Sequence, residues 1–181
     1  IIAPGDGAKF RIGDTVNFEG RATDAEDGDL GGANLQWTVN LHHLEHIHYD
    51  FFNGEGTAGS FRFDDHGDDT WLEVCLTATD ADGLEDSQCV DIKAEEVTYT
   101  FTSVPAGQPI TYAGSRYETP FKVQTYINAR RIIEAPAETE DGLRFDNWSD
   151  GGEAVHEIVI GDGAQTLVAT YVDAAGAAPD A

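Results

Sequence analysis

Four of the chain's six histidines fall within the segment Leu41-His42-His43-Leu44-Glu45-His46-Ile47-His48. Imidazole is the commonest metal-ligating side chain and titrates near neutrality, so such a density is a chemical signal in itself. With a turn at Leu44-Glu45 and an extended segment after it, His46 and His48 share one face, because strand side chains alternate. His66, in Asp64-Asp65-His66-Gly67-Asp68-Asp69, reaches them only through the fold. Three chemistries suit the cluster. A Cu²⁺ or Zn²⁺ site would use His46 and His48 with His43 or His66 as a further ligand, and would need an open fourth position to be catalytic. Rings that bond loop backbone and pack on Tyr49, Phe51 and Phe52 would be structural only. A face of His42 with nearby aromatic side chains would offer flat surfaces and donors to sugar hydroxyls.

The second signal is made of carboxylates. Asp24-Ala25-Glu26-Asp27-Gly28-Asp29 places four acids in six positions around a glycine, and Asp80-Ala81-Asp82-Gly83 adds two more. Ca²⁺ takes six to eight hard oxygens from flexible loops of this kind, which makes Asp24, Glu26, Asp27, Asp29, Asp80 and Asp82 candidate ligands. The same residues are ordinary turn formers that hydrogen-bond their own backbone. Trp71 and Trp148 are the aromatic candidates for contact with a ligand. Trp148, or its neighbour Phe145, is equally suited to fill a small core, where large side chains are scarce.

No pair of carboxylates stands out from the acidic background as an acid and base, and no Ser, His and Asp set occupies a nucleophile-elbow context. The expectation is a chain without catalytic residues, with metal-dependent activity at the histidines as the exception. Thirty-four acidic residues against ten basic ones give a formal charge of −24. Such a field repels nucleic acid and anionic lipid, whose recognition depends on Lys and Arg neutralising phosphate. It suits a marine or salt-adapted protein, a set of divalent-cation sites, or both. No apolar run approaches the roughly 18 residues that span a bilayer, so no membrane insertion is expected.

The elements that must position these groups are short and alternating, the pattern of sandwiches and small barrels. In Trp71-Leu72-Glu73-Val74-Cys75-Leu76-Thr77-Ala78 the inward set is Leu72, Val74, Leu76 and Ala78, so Trp71 and Cys75 point outward. Cys89 points outward by the same argument from Val90 and Ile92. A hairpin centred on Asp82 places the two sulfurs opposite each other, which predicts a Cys75–Cys89 cross-strand disulfide and an oxidising, extracytoplasmic setting.

About seven strands are expected in the first 95 residues: Ile1-Ile2, Thr15 to Ala22, Leu35 to Leu41, Ile47 to Phe52, Thr57 to Phe63, Trp71 to Thr79 and Gln88 to Lys93. Their size and number suit an immunoglobulin-like β-sandwich. A second small all-β domain follows over 96–173, with strands separated by turns such as Pro105-Ala106-Gly107 and Gly161-Asp162-Gly163. Residues 174–181, rich in alanine, read as a linker or tail, and the whole as a monomeric piece of a longer protein.

Gly13-Asp14-Thr15-Val16-Asn17-Phe18, Ala22 to Leu30, Trp37 and Leu76 to Leu84 resemble the polycystic-kidney-disease (PKD) type of sandwich found in secreted bacterial enzymes. His42, His43, His46 and His48 fit a Leu-His-His-x-x-His-x-His string that is similar to modules trailing bacterial glucose/sorbosone dehydrogenases. In the second half, Val104 to Gly107, Thr119-Pro120, Phe145-Asp146-Asn147-Trp148-Ser149-Asp150-Gly151-Gly152 and Ala169-Thr170-Tyr171 resemble small all-β repeats of bacterial surface and secreted proteins. The resemblance implies a secreted, cell-surface or periplasmic accessory region with Ca²⁺ in the first sandwich. Its partners would be a polysaccharide and a catalytic domain of the same polypeptide. A purely structural, adhesin-like spacer would share all of these features.

Overall fold

The computed structural model describes residues 1–43 and 45–173; the expected tail lies outside the described residues. The chain divides between Glu95 and Glu96 into two units. Both are all-β.

The first unit is built from β1 (Ala8–Phe10), β2 (Thr15–Glu19), β3 (Ala22–Asp24), β4 (Gly28–Leu30), β5 (Leu35–His43), β6 (His46–Glu55), β7 (Ala58–Arg62), β8 (Thr70–Thr79) and β9 (Glu85–Ala94). One sheet has the order β1-β9-β8-β5-β6, and β2 pairs with β7 in a second. β1 runs parallel to β9, while the other pairs are antiparallel. Alternation decides which side chains meet. Leu35, Trp37, Val39 and Leu41 of β5 and Leu72, Val74 and Leu76 of β8 are all buried. They face Val16 and Phe18 of β2 and Phe61 of β7, which are buried as well. Phe18 is the hinge of this core, with ring centroids 4.6 Å from Trp37, 5.9 Å from Phe52 and 6.4 Å from Phe61. Position 59 must be glycine for this packing, because a Cβ there would lie 2.3 Å from the Phe18 ring.

Two expectations for this unit are corrected. Ile1-Ile2 is not a strand: Ile2 and Ala3 donate to the Glu19 carbonyl, and a turn at Asp6-Gly7, closed by the Ala8 N–H on the Gly5 carbonyl, then leads into β1 at Ala8. The acidic segment 24–29, expected as a loop, forms the turn of a small β3–β4 hairpin in which Ala22, Thr23 and Asp24 pair with Leu30, Asp29 and Gly28.

The second unit contains β10 (Glu96–Val104), β11 (Pro109–Tyr112), β12 (Ser115–Glu118), β13 (Phe121–Tyr126), β14 (Arg130–Glu134), β15 (Arg144–Trp148), β16 (Val155–Val159) and β17 (Gln165–Val172). Its two four-stranded sheets have the orders β13-β10-β17-β15 and β12-β11-β14-β16. Tyr99, Phe101, Ile110, Tyr112, Ile133, Trp148, Leu167 and Tyr171 are buried together as its core. A buried polar knot ties β10 to the segment before β13: Ser103 Oγ and Thr119 Oγ1 are 2.5 Å apart, and Thr119 Oγ1 donates to the Gln108 carbonyl at 2.8 Å. Trp148 is 1 % exposed, and its Nε1–H donates to the Ala154 carbonyl. It fills the core and is not available as a stacking platform for a ligand.

Candidate functional site

β5 and β6 form a hairpin whose last registered pairs are Leu41 with His48, His42 with Ile47 and His43 with His46. His43 continues the inward parity of Leu35, Trp37, Val39 and Leu41, so it stands at the end of the core. His46 and His48 project from the same face on the facing strand. Between Val39 and Leu41 the register slips, and Tyr49, Asp50 and Phe51 bulge out of β6, with Asp50 at φ 55°. The segment between β7 and β8 then carries His66 to the turn end of the hairpin. His43 is half-buried, whereas His46, His48 and His66 are exposed.

All four rings meet. His43 Nδ1 lies 3.4 Å from His46 Nε2, and His66 Nε2 lies 3.2 Å from His48 Nε2. Ring centroids are 5.1 Å apart for His43–His46 and His46–His48, 4.7 Å for His48–His66 and 5.8 Å for His43–His66. Burial holds the His66 pKa below the usual histidine range, and repulsion from His48, His43 and His46 adds to the effect, against a weaker pull from Asp65. The sequence placed His46 and His48 on one face. It left open the choice of His43 or His66, and the fold supplies both.

His42 points to the other side of the sheet. Its ring stacks on Trp71 with centroids 4.6 Å apart and planes 15° apart. The buried His42 Nε2 has no hydrogen-bond partner, and Glu73 Oε2 lies 3.8 Å away. Beside this stack Asn40 Nδ2 donates to Glu73 Oε2 at 2.9 Å. Further along the same outer face Cys75 and Cys89 are registered partners and are joined as a disulfide. Among the described residues, the one set of three or more potential ligand atoms lying within 4.8 Å of one another is Glu73, Cys75 and Cys89. It is no metal site, because both sulfurs are spent in the disulfide. The same criterion leaves the four histidines as two nitrogen pairs whose bodies are adjacent.

The carboxylates are placed at the far ends of other hairpins. Asp24 Oδ1 accepts from the backbone N–H groups of Glu26 and Asp27, and these bonds hold its carboxyl below the ordinary carboxylate range. Asp27 Oδ2 accepts from the Ala81 N–H, which ties the β3–β4 turn to the β8–β9 turn. Asp80 Oδ1 accepts from the Leu84 N–H within its own turn. Asp24 and Asp80 also line a shallow hollow of about 220 Å³ with Glu85 and Asp86, two acids that open β9, ahead of the strand expected from Gln88. The hydrogen bonds of Asp24 and Asp80 are made to backbone within their own turns, and that of Asp27 to the backbone of the other turn. Glu26 and Asp82 are exposed in the turns, and Asp29 is exposed on β4.

In the second unit sequence reasoning overlooked His156. Its Nδ1 is 2.6 Å from the Glu153 carbonyl and its Nε2 is 3.1 Å from Asp150 Oδ2. Gly152 makes room for it, since a Cβ there would fall 2.3 Å from Nε2. The Asp-Gly-Gly turn followed by His was the available signal.

No protein-family model and no curated protein matches the chain. Among solved structures it is similar to an adhesin described as Ca²⁺-stabilized that helps an Antarctic bacterium reach out and bind ice. The identity is 12 %, with 84 % of this chain and 44 % of that one covered, at a TM-score of 0.23. It is also similar to a structure concerned with host cell surface retention of a 1.5-MDa bacterial ice-binding adhesin. There too the identity is 12 %, with 85 % and 59 % covered, at a TM-score of 0.22. The chain spans about half the length of both. Likenesses this remote carry no argument about what the chain binds.

Proposed function

We propose that this chain is a non-catalytic accessory region of a secreted protein, a PKD-type sandwich followed by a second β-module, that holds polysaccharide against the outer face of its five-stranded sheet. The observation that carries the reading is the Trp71–His42 stack with the Asn40–Glu73 hydrogen bond beside it. An indole and an imidazole lying flat together present apolar area to the face of a sugar ring, and a neighbouring amide and carboxylate serve its hydroxyls. Trp71 sits on β8, the strand that the Cys75–Cys89 bond cross-links to β9, and that bond belongs to an oxidising compartment. Two all-β units in series, each with its own aromatic core, suit a region that spaces and presents a catalytic domain. Ca²⁺ at the joined β3–β4 and β8–β9 turns would stiffen one end of the first unit.

The test is retention on a panel of insoluble polysaccharides. At least one should hold the chain, and Trp71→Ala should release it while leaving the melting temperature within a few degrees. Failure to bind any member would leave a spacer. Added Ca²⁺ should raise the melting temperature, and Asp24→Asn with Asp27→Asn should remove that rise.

A further inference from the structure

The four convergent histidines have a use that sugar binding does not give them. An imidazole at home in a protein has an oxygen partner at one or both nitrogens, as His156 does. The polar contacts of His43, His46, His48 and His66 run to each other's nitrogens instead. Two neutral rings can share one N–H between them. A cation, by contrast, is a partner that can take a lone pair from every ring at once.

The lengths of the two nitrogen contacts fit two edges of one coordination geometry. With metal–nitrogen bonds of 2.0–2.1 Å, neighbouring nitrogens in a tetrahedron are about 3.3 Å apart, and in a square plane about 2.9 Å. The two contacts, His43–His46 at 3.4 Å and His48–His66 at 3.2 Å, share no residue and have the lengths of two opposite tetrahedral edges. The ring bodies are placed to match. An imidazole centroid sits roughly 3.2 Å from a metal that its nitrogen binds, so four such centroids are about 5.2 Å apart. The four neighbouring ring pairs have centroid separations of 4.7 to 5.8 Å, on either side of that value. No three of these rings have nitrogens within 4.8 Å of one another, so the rings must turn to bring the two pairs onto one centre. Three of these rings are exposed, so an ion reaches them from solvent, and a chain of net charge −24 draws cations toward it.

We propose that His43, His46, His48 and His66 form a four-nitrogen site for a tetrahedral divalent ion of the zinc class, which pins the 64–69 segment to the β5–β6 hairpin. All-imidazole ligation selects borderline ions such as Zn²⁺ over Ca²⁺ or Mg²⁺, which take oxygen. Four protein ligands close the coordination shell, as in structural rather than catalytic zinc sites. The site is independent of the polysaccharide face, since His42 and Trp71 point to the opposite side of the sheet.

The experiment uses the whole chain, prepared without a histidine tag, stripped with a chelator and titrated with ZnCl₂ or CoCl₂. One equivalent of zinc should bind, and bound cobalt(II) should give the intense visible absorption of tetrahedral coordination. His46→Ala with His48→Ala should abolish uptake. His66→Ala should keep a weakened site on the hairpin and lose the zinc-dependent protection of residues 64–69 from amide exchange. Uptake that survives the His46 and His48 changes, or a weak octahedral cobalt spectrum from the unaltered chain, would overturn the proposal. The cobalt spectrum needs no variant, so a misfolded mutant would not protect the idea.

Discussion

His156 in the second unit and the histidine quartet in the first place the same side chain in opposite circumstances. Around His156 both ring nitrogens face oxygen, from the Glu153 carbonyl and Asp150, and the ring edge meets Trp148 with centroids 6.0 Å apart. The quartet's nitrogens face nitrogen, at the end of a core and open to solvent. In the first case the fold has satisfied the imidazole, which therefore acts as a structural hydrogen-bonding residue. In the second the fold has gathered four lone pairs and left the acceptor to come from outside. The identity of the nearest polar atom, more than the number of histidines, separates a structural site from a binding one.

That contrast can be broken at several strengths. Trp148→Ala removes the largest side chain of the second unit's core and should cost about 3–5 kcal/mol in denaturant unfolding. Zinc uptake by the quartet should be unchanged, and its loss would mean that the two regions are not distinct. His156→Ala should cost about 1–3 kcal/mol, because the Glu153 carbonyl and Asp150 lose a partner. It should leave the zinc stoichiometry alone; a fall there would place His156 among the ligands.

The smallest effect concerns Tyr171. Its hydroxyl is buried without a hydrogen-bond partner, and burial pushes its pKa up to about 12. In the unfolded chain the group ionises near pH 10, so between these values the folded protein keeps a proton that the unfolded one releases. Stability contributed below pH 10 is thus lost as pH rises toward 12. Tyr171→Phe should be neutral or stabilising by up to about 1 kcal/mol near pH 7, and should flatten that alkaline loss in a series of melting curves.

Much of this was readable in the residues. Parity in Trp71 to Ala78 and around Cys89 placed both cysteines outward and opposite, and Cys75 and Cys89 are bonded registered partners. Alternation likewise gave the inward faces of β5 and β8. The β3–β4 hairpin was not legible, because three-residue strands flanking Asp and Gly read as a loop. β12 was missed because all four of its residues are exposed, which leaves no alternation to detect. His66 joins the quartet through the path of an irregular segment, and no local period encodes such a path. His43 was ambiguous for a related reason: the expected strand ended at Leu41, and whether it ran on to position 43 depended on the β5–β6 register.

The pairing of β1 with β9 and of β10 with β17 has a mechanical side. In each unit the first strand of the pair and the last strand of the unit run parallel, through three registered pairs in the first unit and six in the second. A pull on the two ends of a unit therefore slides one strand along the other and strains the pairs of that ladder together, where a hairpin pulled from its open end would yield one pair at a time. Both units are strung to resist tension along the chain. The six-pair ladder should be the later to give way when single molecules are stretched from their ends.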